Sequence, residues 1–182
     1  MKIRTAILIL LVCLVSACTQ APSPEPEKPK AAAAPVGVAN GNLAQVMRSI
    51  LFPNSNVIFY AQSNDPDKVK KAKDESLATD ILASTYGGWS AVENSSLALS
   101  ESANLLMVPG RKCSNGKDVP MQNEDWPKFV QGLRDAGMAA YKAAQSKSQD
   151  KVLEATDAMT TACANCHEKY RDKPGGVEAR CM

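Results

Sequence analysis

Apolar residues recur at helical spacing in four stretches of the chain, all of them after residue 40. Within each stretch they return every three or four residues, which is the pattern of an amphipathic α-helix with one buried face. The stretches cover residues 41–62, 88–108, 126–146 and 149–172. No segment is typical of a strand hairpin, so the pattern predicts an all-α domain.

The inward faces of these stretches combine large apolar side chains with many small ones. In chain order the inward residues are Leu43, Met47, Ile50, Val57 and Ala61; Trp89, Val92, Leu99, Ala103 and Leu106; Phe129, Val130, Leu133, Ala140 and Ala144; and Val152, Thr156, Met159, Cys163 and Cys166. Pro53 should kink the first helix or divide it in two. Four helices of about twenty residues predict an antiparallel, up-down-up-down four-helix bundle. The small residues leave room inside it for a bulky group.

The N-terminal segment is typical of an export signal. Lys2 and Arg4 precede the apolar run AILILLVCLV, which is short for a membrane span and is followed by small residues. The sequence VSAC at residues 15–18 resembles bacterial lipoprotein signals, in which cleavage leaves the cysteine first and lipidated. The resemblance implies removal of residues 1–17 and lipid on Cys18. The alternative is a soluble exported protein with Cys18 as a spare thiol.

Residues 18–40 are rich in proline, alanine and charge and have no apolar period, so they predict a disordered tether. The remaining residues, 41–182, form the single predicted domain. Removing the signal takes away Lys2 and Arg4 from the 21 basic residues, which leaves as many bases as the 19 acids. This balance gives no support for nucleic-acid binding.

Two cysteines and the only histidine of the chain stand within five positions, in the sequence CANCH at residues 163–167. C-x-x-C-H is the attachment pattern of c-type haem. Each thiol can add to one vinyl group of the porphyrin, and the spacing places Cys163 and Cys166 on one helix face. His167 can then bind the iron from one side of the ring. The motif therefore predicts one covalently attached haem c.

Other chemistries use similar residues. A thioredoxin-like C-x-x-C follows a strand and opens a helix, whereas this motif lies near the end of a predicted helix. A zinc site could recruit Cys113 and Cys181, although the sequence has no second C-x-x-C. Because His167 is the only histidine, the sixth iron ligand from this chain is methionine or lysine, or else water or nothing.

The longer motif C-x-x-C-H-x-x-Y-R, on the last of four predicted helices, resembles cytochrome c′ and its methionine-ligated low-spin relatives. The resemblance covers about residues 42–172 and implies that haem packs between the helices, with the first helix crossing its distal face. It implies that Cys163 and Cys166 are the thioether sites and that His167 is the proximal ligand. It also implies that Arg171 lies beside this histidine.

The family's distal position falls in the first helix, where Met47 is the candidate sixth ligand. A thioether ligand keeps iron low-spin and raises its potential, which suits an electron carrier. The alternative is that Met47 is a flexible core residue, with Met107 and Met121 as competing ligands. Family members without a ligand here have five-coordinate iron that binds nitric oxide or carbon monoxide.

After removal of residues 1–17, Cys113 and Cys181 are the cysteines that remain beyond the lipid and haem assignments. In an exported, oxidising setting, a disulfide between them is the default expectation. It would join the tail after the last helix to the loop between the second and third helices, and loop-closure entropy makes it worth about 4 kcal/mol. Two free thiols or an intermolecular bridge are the alternatives.

Together these features predict a lipid-anchored, single-haem electron carrier on the periplasmic side of a bacterial membrane, with redox proteins of the cell envelope as partners. No arrangement of residues indicates a catalytic site, so we do not expect an enzyme. A five-coordinate gas-binding haem protein is the second hypothesis, and a structural zinc-binding lipoprotein is the third. Dimerisation is common in the resembled family, so the resemblance also allows a homodimer.

Overall fold

The computed structural model of the chain describes residues 37–181. In this part the backbone forms helices, turns and an isolated bridge between Lys112 and Asp118, with no β-strand. The helices pack against one another, so the all-α prediction is confirmed. The predicted signal peptide 1–17, the lipidation site Cys18 and the tether up to residue 36 lie outside the described residues.

The first helix, α1, runs without a break through three parts: α-helical Leu43–Val46, π-helical Met47–Leu51 and α-helical Phe52–Ser63. Asn42 caps its start through a reciprocal pair of hydrogen bonds with Gln45. The Gln45 N–H donates to the Asn42 side chain over 2.9 Å, and the Asn42 N–H donates to the Gln45 side chain over 2.8 Å. This capping box satisfies two of the N–H groups that a helix start leaves without partners.

The disturbance expected at Pro53 takes the form of the π-helical turn just before it, and the helix continues through it. Proline at this position cannot donate to the Ser49 carbonyl four residues earlier. The Phe52 N–H instead donates to the Met47 carbonyl five residues earlier, and this wider turn carries the chain past the proline. The π-helical turn thus begins at Met47.

The other predicted helices form close to their predicted positions. They are α2, Trp89–Ser102, which continues as the 3-10 helix Ala103–Met107; α3, Trp126–Gln145; and α4, Gln149–Tyr170, followed by the short α5, Gly176–Ala179. The connection between α1 and α2 contains two 3-10 turns, Glu75–Leu77 and Ile81–Ala83.

Each of the four long helices contacts two others. α2 packs against α1 and α3, and α4 packs against α3 and α1. All four helices contribute fully buried side chains to one core, among them Ile58, Leu99, Trp126 and Met159. No helix within residues 37–181 is long and apolar enough to cross a membrane.

Gly137 of α3 lies at a close approach to α2, and its replacement should destabilise the fold. A Cβ atom at Gly137 would lie 2.7 Å from the backbone nitrogen of Ser100. We expect Gly137→Ala to lower the free energy of unfolding by about 1–3 kcal/mol through overpacking, measured by urea denaturation. Gly132→Ala in the same helix is the matched control. A Cβ there meets nothing within 4 Å, so this change should raise stability by up to about 1 kcal/mol. Equal effects of the two changes would contradict the steric explanation.

Candidate functional site

A cavity of about 330 Å³ lies among the first half of α1, the last part of α4 and side chains of α2 and α3. Most of its lining residues are apolar, as is usual for small-molecule and cofactor sites. The whole C-x-x-C-H motif opens onto it, because Cys163, Cys166 and His167 all line the cavity. Met47 of α1 lines the same cavity.

The residues of the motif share one face of α4, since their spacings of three and four residues are those of helical neighbours. Cys163 and Cys166 are free and half-buried. Burial raises the pKa of Cys163. Burial, followed by the charges of Cys163 and Asp125, raises the pKa of Cys166 to about 11. Both sulfurs therefore carry their protons at neutral pH.

His167 is half-buried, and its environment favours the neutral imidazole. Burial is the main cause that lowers its pKa, and the charge of Arg171 lowers it further, while Asp172 acts in the opposite direction. A neutral imidazole has a nitrogen lone pair available to a metal ion. Arg171 lines the same cavity and makes two hydrogen bonds of 2.7 Å to the Asp172 carboxylate.

Met47 is half-buried and is the first residue of the π-helical turn. The described methionines are Met47, Met107, Met121, Met138 and Met159. Of these, Met47 alone lines the cavity. Met159 is fully buried in the core instead. The fold therefore brings Met47, rather than its competitors Met107 and Met121, to the cavity of the C-x-x-C-H motif.

An aromatic wall completes one side of the cavity, and the sequence pattern did not reveal it. The Tyr170 ring lies 5.0 Å from Trp126 and 6.2 Å from Phe129 between centroids, both edge to face. The Tyr170 hydroxyl donates to the Asp125 carboxylate over 2.6 Å and accepts from the Asn123 amide over 3.0 Å. Periodicity marks such residues as buried but does not tell which of them face one cavity.

Arg48 is a second residue at the site that the sequence pattern does not reveal. It follows Met47 in the π-helical turn, lines the cavity and is exposed. Within residues 37–181, its guanidinium has no hydrogen-bond or ion-pair partner. A free guanidinium beside an apolar cavity can pair with an anionic group of a bound molecule. In the sequence, the feature that could have identified Arg48 as a site residue is its position directly after the candidate ligand Met47.

Cys113 and Cys181 are joined by a disulfide, with their Cα atoms 4.9 Å apart. Cys113 is buried, and Cys181 lines the cavity. The zinc hypothesis needs both sulfurs as thiolates, and this bond removes them. The described part of the chain also holds no group of three or more His, Cys, Asp or Glu side chains placed to bind a metal ion.

The groups around the cavity fit a covalently attached haem. Two thiols and an imidazole come from one helix face, a thioether comes from another helix, and most other lining side chains are apolar. Imidazole and thioether are both known axial ligands of haem iron. Comparison of the chain with protein-family models, curated proteins and solved structures found no match.

Proposed function

We propose that this protein is an exported, membrane-tethered, single-haem c-type cytochrome of the cytochrome c′-like kind, which transfers one electron at a time. One observation carries the proposal: the C-x-x-C-H residues of α4 and Met47 of α1 line a single cavity. These residues are far apart in the sequence, so only the packing of the helices brings them together.

Four side chains would hold the haem. Cys163 and Cys166 would form the thioether bonds to the porphyrin, and His167 and Met47 would bind the iron. Bound here, haem c would supply an iron that exchanges one electron. The two helices that carry these side chains, α1 and α4, pack against each other, which would limit the movement of the iron-binding residues. The mostly apolar lining would limit the access of water to the bound haem.

The two arginines at the cavity would have different roles. Arg171 already pairs with Asp172. Arg48 has no partner within residues 37–181. Haem bears carboxylate groups, and a charge-assisted bond to a free guanidinium is the stronger kind of hydrogen bond. We therefore assign Arg48, rather than Arg171, as the partner of a haem carboxylate.

The proposal includes an antiparallel, up-down-up-down order of the helices. Gln149 at the start of α4 donates to the carbonyls of Ala61 and Gln62 at the end of α1, both over 2.9 Å. Tyr170 at the end of α4 bonds to Asp125, directly before α3. The start of one helix therefore meets the end of its neighbour in both pairs, which supports the antiparallel order.

A five-coordinate, gas-binding haem protein is the second candidate. Met47 lies in a π-helical turn and is only half-buried, so its side chain has less packing to fix it than a core residue has. Leu51 and Phe52 line the cavity together with Met47, so without a Met47–iron bond the iron would face an apolar lining and be open to a diatomic gas. The two candidates differ in whether Met47 is a ligand.

The proposed location is the periplasmic side of a bacterial cell envelope, with lipid on Cys18 and redox proteins as partners. This part of the proposal depends on the sequence of residues 1–36, which lie outside the described part of the chain. The apolar run, the VSAC site and the proline-rich tether support it.

The visible spectrum of the reduced protein, matured in a haem-attaching host, tests both candidates. We expect sharp low-spin bands that do not change with carbon monoxide, because Met47 would occupy the sixth position. A broad high-spin spectrum that shifts with the gas would favour the second candidate. A purified protein without a Soret band would contradict both.

A further inference from the structure

We propose that the loop of residues 108–125, between α2 and α3, is a positioning element for iron ligation. This inference rests on the proposed function. The loop holds the start of α1, which carries Met47, at a set distance from the end of α4, which carries His167. Loosening the loop should release Met47 from the iron while the haem stays attached through its thioethers.

One side of the loop is bonded to the start of α1. Arg111 is only 3 % exposed, and its guanidinium donates to the Gly41 carbonyl over 2.5 Å. The Leu43 N–H donates to the Lys112 carbonyl over 2.8 Å. Met47 follows Leu43 by one helical turn and lies on the same face. The loop therefore holds the first turn of α1 and, through it, Met47.

The other side of the loop is bonded to the end of α4 and the tail that follows. Cys113 is disulfide-bonded to Cys181, whose N–H donates to the Tyr170 carbonyl over 2.9 Å. The Tyr170 hydroxyl donates to Asp125 over 2.6 Å. Tyr170 lies three residues after His167, on the same side of the helix. These bonds hold the turn of α4 that contains His167.

The loop is also bonded within itself, so its two attachments are linked to each other. The Cys113 N–H donates to the Lys117 carbonyl over 2.8 Å, and the Val119 N–H donates to the Arg111 carbonyl over 3.2 Å. Arg111 and Cys113 are therefore parts of one closed turn. A shift at the disulfide is passed on to the residue that holds the start of α1.

The end of α1 and the start of α4, which do not line the cavity, are joined directly. Gln149 donates to the carbonyls of Ala61 and Gln62, and the Gln62 amide donates to the Thr156 hydroxyl. The cavity lies between the start of α1 and the end of α4. There the two helices are linked through the loop of residues 108–125. Since one end is joined directly and the other through the loop, the loop sets the spacing across the cavity.

The test compares loop variants of the haem-loaded protein below their unfolding temperatures. We expect Arg111→Met, and the double variant Cys113→Ser with Cys181→Ser, to become partly high-spin. Their carbon monoxide affinity should rise by about tenfold, because apparent affinity follows the fraction of iron left open by Met47. The haem should remain covalently attached. Removing both cysteines together avoids a free thiol that could compete with Cys163 or Cys166.

Arg134→Met is the matched control, because Arg134 bonds to Gln131 and Asn104 and does not line the cavity. It should leave the spectrum and the gas affinity unchanged. Tyr170→Phe loses only a hydroxyl and should shift both in the same direction as the loop variants. This milder change keeps the test usable if Arg111→Met does not fold.

Two results would overturn the inference, and they are distinguishable. Loop variants with a lower Tm but an unchanged spectrum and gas affinity would show that the loop only stabilises the fold, and the proposed function would stand. A high-spin wild-type protein would instead overturn electron transfer through Met47 and the positioning role together.

Discussion

Replacing Met47 by alanine should convert the low-spin iron of the proposed cytochrome to a high-spin form that binds carbon monoxide. Met47 lines the cavity of the C-x-x-C-H motif, and alanine has no sulfur to reach the iron. If Met47 occupies the iron for about 99 % of the time, gas affinity should rise about a hundredfold when it is removed. The reduction potential should fall, because a thioether ligand raises it. Absorption spectra, gas titration and electrochemistry measure these changes.

Met159→Ala is the matched control for Met47→Ala. Met159 is fully buried on α4 and does not line the cavity. Its truncation should lower the free energy of unfolding by about 2–5 kcal/mol, while the folded protein stays low-spin. A Met47→Ala protein that stays low-spin and does not bind carbon monoxide would show that another group is the sixth ligand.

Replacing both Cys163 and Cys166 by alanine should abolish covalent haem attachment completely. Both thiols line the cavity from one face of α4, beside His167. Without them no bond joins porphyrin to protein, although the imidazole and thioether could still hold haem reversibly. Haem staining after denaturing electrophoresis measures the loss. Each single variant should keep one thioether and therefore part of the stain.

The control for this experiment is the double variant Cys113→Ser with Cys181→Ser. These two cysteines are already bonded to each other, so they have no thiol to offer to haem. The variant should keep its haem stain after denaturation. Loss of stain in this variant, with retention in the Cys163→Ala and Cys166→Ala double variant, would show that the attachment site was assigned to the wrong cysteines.

The helices could be predicted from the sequence because a helix that buries one face repeats its apolar residues at the helical period. The differences arise where local signals compete with packing. The α-helical part of α2 ends at Ser102 and continues as a 3-10 helix to Met107. At Pro53 the sequence shows that a backbone donor is missing. The sequence does not show that α1 continues past this residue through a π-helical turn and packs against α2 and α4 with Ile58 and Ala61 buried.

The local arrangement of the C-x-x-C-H motif could be predicted from the sequence. The spacing of Cys163, Cys166 and His167 is a property of five adjacent residues, and a helix of any orientation would present them on one face. Which distant residues share their cavity depends on how the helices pack. Of the described methionines, Met47 alone lines the cavity, and Arg48 lines it as well. The Cys113–Cys181 disulfide lies beside Tyr170, because the Cys181 N–H donates to the Tyr170 carbonyl. Periodicity states that a residue is buried, whereas its neighbours across the core depend on how the helices pack.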